Sequence, residues 1–252
     1  MGFSLDGKVA VVTGAARGNG AAIAAGLAQY GASVVVVDVD EEGAHAMAAR
    51  LQRDGHRAWA FGLDVRDSAA CGRFAREAIA LAGRVDVLVN NAGVRPYHAF
   101  DAPERDRLWR QAMDVNVEAV RHLSLAFEDA LAASGGTIVN ITSTAATFAS
   151  PRSISYSTSK AAAQMLTRVL ALELAPRGIR VNAIAPGVME TAMTAASRAD
   201  PVRSPQLMQR IPLRRFGNPE ELVGAAVFLA SGMSSYMTGS VITVDGGFLV
   251  SC

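Results

Sequence analysis

Short apolar runs rich in β-branched residues alternate along the chain with longer stretches in which apolar residues recur at helical spacing. The short runs predict strands at 8–13, 33–38, 57–63, 85–90, 137–142, 180–185 and 241–244, and the longer stretches predict helices at 20–30, 41–54, 103–133 and 155–177. The unbroken valines of 33–38 indicate a parallel strand that is buried on both faces. This alternation predicts an α/β fold, a doubly wound parallel sheet of Rossmann-like type, in a single domain over residues 1–252.

One segment breaks the alternation. Residues 187–215 are rich in Met, Arg and Pro and show no strand pattern. Long irregular insertions of this kind are commonly lids or binding loops. We therefore expect residues 187–215, called the lid segment below, to cover a substrate site and to become ordered when ligand binds.

Composition and charge narrow the classes of partner. The net charge of +1 gives no reason to expect nucleic acid or an anionic membrane as partner, and no apolar run approaches the length of a membrane span. Cys71 is expected in the core and Cys252 is the last residue, so no disulfide framework is indicated and a cytoplasmic location is predicted. The four histidines are scattered without metal-ligand spacing, so no metal is expected.

A glycine-rich turn, Thr-Gly-Ala-Ala-Arg-Gly-Asn-Gly at 13–20, follows the first predicted strand and opens the next helix. Glycines there allow a tight turn and the close approach of a pyrophosphate, which a helix N-terminus stabilises. The turn therefore predicts a dinucleotide site that includes Gly14, Arg17, Gly18, Asn19 and Gly20.

Further polar residues stand where other predicted strands end, which is the edge of a doubly wound sheet that binds ligands. Asp38 ends the second strand, 18 residues past Gly20, where a carboxylate can bind the adenosine ribose hydroxyls. The remaining cofactor candidates at this edge are Asp64, Val65, Asn91, Ala92 and Gly93.

Tyr156 and Lys160 lie at i and i+4 at the start of a predicted helix, so they share one helical face. A free tyrosine exchanges protons poorly at neutral pH because its pKa is near ~10. A cation about 4 Å away, at an effective dielectric constant of ~20, favours the phenolate by ~4 kcal/mol. Lys160, together with an oxidised nicotinamide ring, is therefore expected to make Tyr156 an acid/base group.

These motifs resemble those of the short-chain dehydrogenase/reductase family over nearly the whole chain. The turn at 13–20, Asn-Asn-Ala-Gly at 90–93, Ser143 at 13 residues before Tyr156, and the Pro-Gly that opens 186–191 appear in the family's order. The resemblance implies that Tyr156 is the acid/base, that Ser143 holds the substrate oxygen and that Lys160 binds the nicotinamide ribose. It also implies a proton-relay water on the backbone carbonyl of Asn116 and cofactor contacts at Pro186, Gly187, Val188 and Thr191.

Two positions depart from the family's pattern. Asn19 replaces the aliphatic residue that is usual between the last two glycines of the turn, and Ala146 stands where the family often has glycine. Asn19 is expected to alter contacts near the nicotinamide end, but neither change removes a group that the mechanism uses.

The candidates for the substrate pocket lie outside the cofactor motifs. Arg95 follows the 91–93 turn and Arg152 precedes Tyr156, so both are expected at the pocket mouth. Arginines outnumber acidic residues in the lid segment, which fits either a solvated surface or attraction of an acidic or phosphorylated substrate. The pocket candidates are Arg95, Tyr97, Thr144, Arg152, Met189 and Met193.

The predicted function is the interconversion of a secondary alcohol and a ketone by hydride transfer with NAD. NAD is expected over NADP because Asp38 would repel the 2′-phosphate. Arg17 can face that phosphate and supports an alternative, an NADPH-dependent ketoreductase of the 3-oxoacyl-carrier type; a second alternative is a non-catalytic dinucleotide-sensing protein. Spare apolar residues on the helices at 103–133 and 155–177 predict a homo-oligomer, and the family resemblance implies a homotetramer.

Overall fold

The strands predicted from the sequence form one parallel sheet. The computed structural model describes residues 2–251, and within them the strands are β1 (Val9–Thr13), β2 (Ser33–Asp38), β3 (Ala58–Gly62), β4 (Val87–Asn90), β5 (Thr137–Ile141), β6 (Arg180–Pro186) and β7 (Val241–Val244). They lie in the order β3-β2-β1-β4-β5-β6-β7, and each adjacent pair is parallel. The predicted doubly wound parallel sheet is confirmed. Cys252 lies outside the described residues.

The order of the strands reverses at β1. Strands β2 and β3 extend the sheet on one side of β1, and β4 to β7 extend it on the other side. Such a reversal opens a crevice at the carboxyl ends of the strands. The segments that follow β1 and β4 meet there, since the backbone N–H of Asn91 donates to the Thr13 hydroxyl over 3.1 Å.

The valines of β1 and β2 pack on both faces of the sheet. Val12 and Val34 belong to one buried cluster, and Val11 and Val35 belong to the cluster on the opposite face. Because both strands are covered by helices, their sequences show an unbroken apolar run instead of an alternation. Cys71 is buried in the second cluster, as expected.

The helices that cover the sheet are α1 (Gly18–Gln29), α2 (Glu41–Arg53), α3 (Ser68–Ala82), α4 (Arg105–Met113), α5 (Ala119–Ala126), α6 (Glu128–Ser134), α7 (Ile154–Leu174), α8 (Ala195–Ala199), α9 (Arg203–Arg210) and α10 (Val223–Ala230). The predicted helix at 103–133 is interrupted, because a π-helical turn, Asp114–Glu118, joins α4 to α5 and Phe127 separates α5 from α6. Single π-helical turns occur often at functional sites.

The lid segment contains two short helices, α8 and α9, and not only irregular chain. Asp200 starts α9, because its carboxylate accepts the backbone N–H groups of Val202 and Arg203 over 2.9 and 2.8 Å. Leu207 and Met208 then pack against a small apolar cluster around Phe248. These helices are too short for the apolar period to be recognised in the sequence. The role of the segment as a lid stays a prediction.

Candidate active site

A cavity of about 590 Å³ lies at the carboxyl ends of the strands, where the strand order reverses. This volume is in the range of small-molecule and cofactor sites. Its wall includes every predicted cofactor-binding residue, namely Gly14, Arg17, Gly18, Asn19, Gly20, Asp38, Asp64, Val65, Asn91, Ala92, Gly93, Tyr156, Lys160, Pro186, Gly187, Val188 and Thr191.

The glycine-rich turn is packed so closely that side chains have no room. Gly14 has a φ of +62°, and a Cβ on Gly20 would overlap the carbonyl oxygen of Gly14. The Asn91 side-chain amide holds the turn by donating to the carbonyl oxygens of Thr13 and Gly14, each over 2.9 Å. At the start of α1, Gly18 and Gly20 therefore leave backbone without side chains at the cavity wall, which fits the pyrophosphate of a dinucleotide.

Asp38 is fixed at the end of β2 with its carboxylate at the cavity wall. One oxygen accepts the backbone N–H of Ala16 and the other accepts that of Asp40, both over 3.0 Å. Each oxygen retains a lone pair for a ribose hydroxyl. Among the described residues, Arg17 makes no ion pair, so it does not neutralise Asp38.

Asp64 binds a neighbouring arginine that sequence analysis missed. Arg66 also lines the cavity, and its guanidinium forms a two-pronged ion pair with the Asp64 carboxylate, with a shortest distance of 2.6 Å. Hydrogen bonding from Arg66 lowers the pKa of Asp64. Only the two-residue spacing in the sequence hinted at this pair.

Asn19 has a side-chain oxygen, Oδ1, that is buried and has no hydrogen-bond partner among the described residues. A buried acceptor without a donor is costly, commonly ~1–3 kcal/mol. The cavity wall at Asn19 therefore fits a ligand with an N–H or O–H group, such as a dinucleotide carries.

Tyr156, Ser143 and Lys160 line the same cavity, beyond the glycine-rich turn. Burial raises the pKa of the Tyr156 phenol, whereas hydrogen bonding with the Ser143 hydroxyl and the positive charge of Arg95 lower it. The Nζ atom of Lys160 lies 6.0 Å from the centroid of the Tyr156 ring. The expected action of Lys160 on the phenol stays a prediction, and Arg95 adds a positive charge that was not expected there and that lowers the pKa of Tyr156.

Lys160 is fixed by a hydrogen bond to the backbone of β5. Its Nζ atom donates to the Ile141 carbonyl oxygen over 2.8 Å and is buried, which lowers the pKa of the ammonium group to about 8. An ammonium group has three donors, so two N–H bonds remain for other acceptors.

Asn116 lies behind this group, in the π-helical turn. Its side-chain nitrogen donates to the Val94 carbonyl oxygen over 2.9 Å and to the Ser159 hydroxyl over 2.8 Å, and its Oδ1 atom accepts the Val94 backbone N–H over 2.9 Å. The side chain thus ties the turn after β4 to α7. It is buried and forms no part of the cavity wall.

The six substrate-pocket candidates divide into two groups. Arg95, Thr144, Met189 and Met193 line the cavity. Arg152 is exposed and does not line the cavity, so the structure does not bring it to the pocket mouth. Its backbone is fixed by a hydrogen bond, in which the Arg152 carbonyl oxygen accepts the backbone N–H of His98.

Tyr97 also lies outside the lining but binds Arg203, a lid arginine that does line the cavity. Arg203 thus differs from the other arginines of the lid segment, which do not line the cavity. Nothing in its local sequence indicated this position.

Within residues 2–251 no three His, Cys, Asp or Glu side chains cluster as a metal site, and no helix is long and apolar enough to cross a membrane.

Comparisons with known proteins agree with this geometry. Residues 14–249 match the family model described as "Enoyl-(Acyl carrier protein) reductase". The chain is 40% identical, over 98% of its length and 97% of the relative's, to 2-dehydro-3-deoxy-D-gluconate 5-dehydrogenase of Dickeya dadantii (strain 3937).

Two solved structures resemble the fold over almost the whole chain. A gluconate 5-dehydrogenase from Burkholderia cenocepacia J2315, in complex with NADP and tartrate, has a TM-score of 0.95 and 38% identity, covering 99% of this chain and 98% of that one. A 7 alpha-hydroxysteroid dehydrogenase complexed with NADH and 7-oxo glycochenodeoxycholic acid has a TM-score of 0.93 and 39% identity, covering 97% and 95%. The chain therefore belongs to the short-chain dehydrogenase/reductase family, as the motifs predicted, and is an oxidoreductase of secondary alcohols and ketones that uses a nicotinamide dinucleotide.

Proposed function

We propose that the protein is an NAD-dependent dehydrogenase of a small secondary alcohol, with Tyr156 as its acid/base. The observation that carries the proposal is that Tyr156, Ser143 and Lys160 line one cavity with the glycine-rich turn and Asp38. One end of the cavity offers bare backbone to phosphates, and the other end offers a phenol, a hydroxyl and an ammonium group.

In alcohol oxidation, Tyr156 as phenolate takes the proton of the substrate hydroxyl. The Ser143 hydroxyl donates to the same oxygen and stabilises the charge that develops there. When bound, the nicotinamide ring supplies the hydride acceptor. Reduction of a ketone uses the same groups in the opposite direction, with Tyr156 returning the proton.

Lys160 and Asn116 have supporting parts in this proposal. Two N–H bonds of Lys160 remain free of protein partners among the described residues and are suited to the nicotinamide ribose hydroxyls. Asn116 holds the π-helical turn, and a backbone carbonyl in such a turn is suited to hold a relay water. The proton taken by Tyr156 would leave the cavity by this route.

The preference for NAD rests on Asp38, whose charge lies where an adenosine 2′-phosphate would have to fit. Arg17 favours the second candidate, an NADPH-dependent ketoreductase, because its guanidinium lines the cavity and has no acidic partner among the described residues. We favour NAD because Asp38 is fixed by two backbone hydrogen bonds, whereas Arg17 is exposed. The solved relatives are of both kinds, one with NADP and one with NADH.

A non-catalytic sensor is disfavoured, because the relatives named above are all dehydrogenases. A steady-state assay of secondary alcohols with NAD and NADP, and of the corresponding ketones with NADH and NADPH, tests the proposal. We expect turnover of at least one alcohol with a higher kcat/KM for NAD. Turnover with NADP alone would support the ketoreductase instead, and reduction of no ketone and oxidation of no alcohol would contradict both.

We also propose a homotetramer. Helices α4, α5 and α7 carry exposed apolar side chains, namely Trp109, Leu125, Met165, Val169 and Leu172. Exposed apolar faces on paired helices are commonly buried against a symmetry mate. Sedimentation at micromolar concentration should give a mass of about four chains, and a monomer would contradict the proposal. The cytoplasmic location stays a prediction.

A further inference from the structure

Arg95 is a cation in the cavity wall whose charge the protein does not balance. Its guanidinium carbon lies 5.9 Å from the centroid of the Tyr156 ring. Burial lowers the pKa of Arg95, and no carboxylate is among the groups that shift it. Among the described residues, no acidic side chain forms an ion pair with Arg95. A partly buried charge without a counter-charge is costly, so such a site calls for an anion.

Arg203 adds a second positive charge at the same place. It lines the cavity, and its charge acts on Arg95 in the direction that lowers the pKa. Tyr97 holds Arg203 without neutralising it, because the Nη1 atom donates to the Tyr97 hydroxyl over 2.6 Å and the guanidinium carbon lies 4.8 Å from the ring centroid. The nearby Asp200 carboxylate accepts two backbone N–H groups at the start of α9 and is attracted by the Arg203 charge, which balances Arg203 in part but forms no direct ion pair with it among the described residues. The fold therefore brings two like charges to one wall of the cavity.

We infer that Arg95, with Arg203 beside it, binds a carboxylate group of the substrate, so that the substrates are small hydroxy acids and the corresponding keto acids. The inference rests on the proposed function, because it takes Tyr156 as the group beside the reacting carbon. The planar fork of a guanidinium matches a carboxylate through two parallel hydrogen bonds. Since Arg95 lies beside the Tyr156 ring, the carboxylate and the reacting carbon are separated by only a few bonds.

A different role for Arg95 makes different predictions. Its charge lowers the pKa of Tyr156, so Arg95 could serve only to stabilise the phenolate. In that case the loss of Arg95 would lower the turnover of acidic and neutral substrates alike, and it would shift the pH dependence of turnover. A carboxylate site would distinguish acids from neutral substrates of the same shape.

The experiment measures binding, so it does not depend on turnover. Wild-type protein saturated with NADH, which cannot accept a hydride from an alcohol, is titrated by calorimetry with 2-, 3- and 4-hydroxypentanoate and with the primary amide of each acid, which has nearly the same shape without the charge. We expect at least one acid to bind tenfold or more tightly than its amide, since hydrogen bonds between charged partners are strong. Arg95→Gln should reduce this ratio to about twofold or less, and Arg95→Lys should give an intermediate ratio because it keeps the charge but not the fork.

Arg152→Gln is the matched control, because Arg152 is an exposed arginine outside the cavity and its loss changes the net charge equally. The ratio of acid to amide should stay as in the wild type. The affinity of each variant for NAD, measured first, reports whether it folds.

The inference is overturned if no acid binds more tightly than its amide, or if Arg95→Gln leaves the ratio unchanged. If a phosphate monoester binds more tightly than the acid of equal length, the site at Arg95 is a phosphate site and the proposal of a carboxylate site is overturned. If Arg95→Gln changes the pH dependence of turnover for a neutral alcohol but leaves the ratio of acid to amide affinity unchanged, the role of Arg95 is to stabilise the Tyr156 phenolate. Failure of the proposed function would be seen separately, as undiminished turnover by a variant without the Tyr156 hydroxyl.

Discussion

The preference for NAD gives a prediction whose size follows from the geometry around Asp38. The carboxylate is nearly buried at the end of β2, and backbone N–H groups of Ala16 and Asp40 fix both oxygens at 3.0 Å. It cannot swing away from a 2′-phosphate without breaking these bonds. At about 5 Å and an effective dielectric constant of ~20, each pair of like charges costs ~3 kcal/mol. In NAD, hydrogen bonds from ribose hydroxyls to the carboxylate instead contribute ~1.5–3 kcal/mol.

The perturbation is a pair of substitutions at the end of β2. Asp38→Asn removes the charge and keeps the shape and one acceptor oxygen. Val39→Arg adds a cation next to it, at a side chain that lines the cavity and is 72% exposed, so the core is not disturbed. Val39→Gln controls for the size of the new side chain without its charge.

The assay is kcat/KM for NAD and NADP with each variant at subsaturating cofactor. We expect the wild type to prefer NAD by at least tenfold, or about 1.4 kcal/mol, since solvent screening leaves only part of the repulsion. Asp38→Asn should move the ratio towards NADP by about tenfold, and the double variant Asp38→Asn with Val39→Arg should prefer NADP. A wild type that is faster with NADP, or a ratio that Asp38→Asn does not change, would refute the reasoning and favour a role for Arg17.

Two further predictions concern the glycine-rich turn and the buried lysine. Gly20→Ala should weaken NAD binding at least tenfold, because its Cβ would overlap the Gly14 carbonyl oxygen. The control is Gly224→Ala, where a Cβ meets open space, and this variant should bind NAD normally. Equal affinities of the two variants for NAD in a titration would contradict the close packing. Lys160 has its pKa lowered from 10.5 to about 8 by burial, so between these pH values the unfolded chain holds more protons and folding stability should rise with pH. The wild type should therefore gain up to about 3 kcal/mol over Lys160→Met across this window in urea unfolding without cofactor, and parallel curves for the two proteins would show that the ammonium group is not desolvated.

The fold was largely predictable from the sequence, because its strands are buried on both faces and its turns carry glycine. The unbroken valines of 33–38 predict a buried parallel strand without ambiguity. The strand, glycine-rich turn and helix of 8–20 identify the part of the cofactor site that binds the phosphates. The helix at 103–133 was predicted without its π-helical turn, because the amphipathic pattern continues through Asn116. Its distortion accompanies hydrogen bonds to Val94, a residue far away in sequence.

The site divides in the same way. Residues that act through the backbone or at the end of a strand, such as Gly14 and Asp38, follow from local sequence. The surroundings of Tyr156 do not, because a positive charge that acts on the phenol comes from Arg95 on another segment, and one N–H bond of Lys160 is taken by the Ile141 carbonyl oxygen. Arg152 was expected at the pocket because it is near Tyr156 in sequence, but its side chain lies outside the cavity.

The central claim is that the Tyr156 hydroxyl transfers the proton, and Tyr156→Phe tests it most directly. The substitution keeps the ring beside Arg95 and Lys160 and removes only the oxygen. With the best alcohol of the panel, kcat should fall by a factor of about 10² or more, as expected for loss of an acid/base group, while the Kd for NAD stays within about threefold of wild type. Tyr236→Phe, at a fully exposed tyrosine, should match the wild type in both measurements. A Tyr156→Phe variant that keeps more than about a tenth of wild-type turnover would contradict the account.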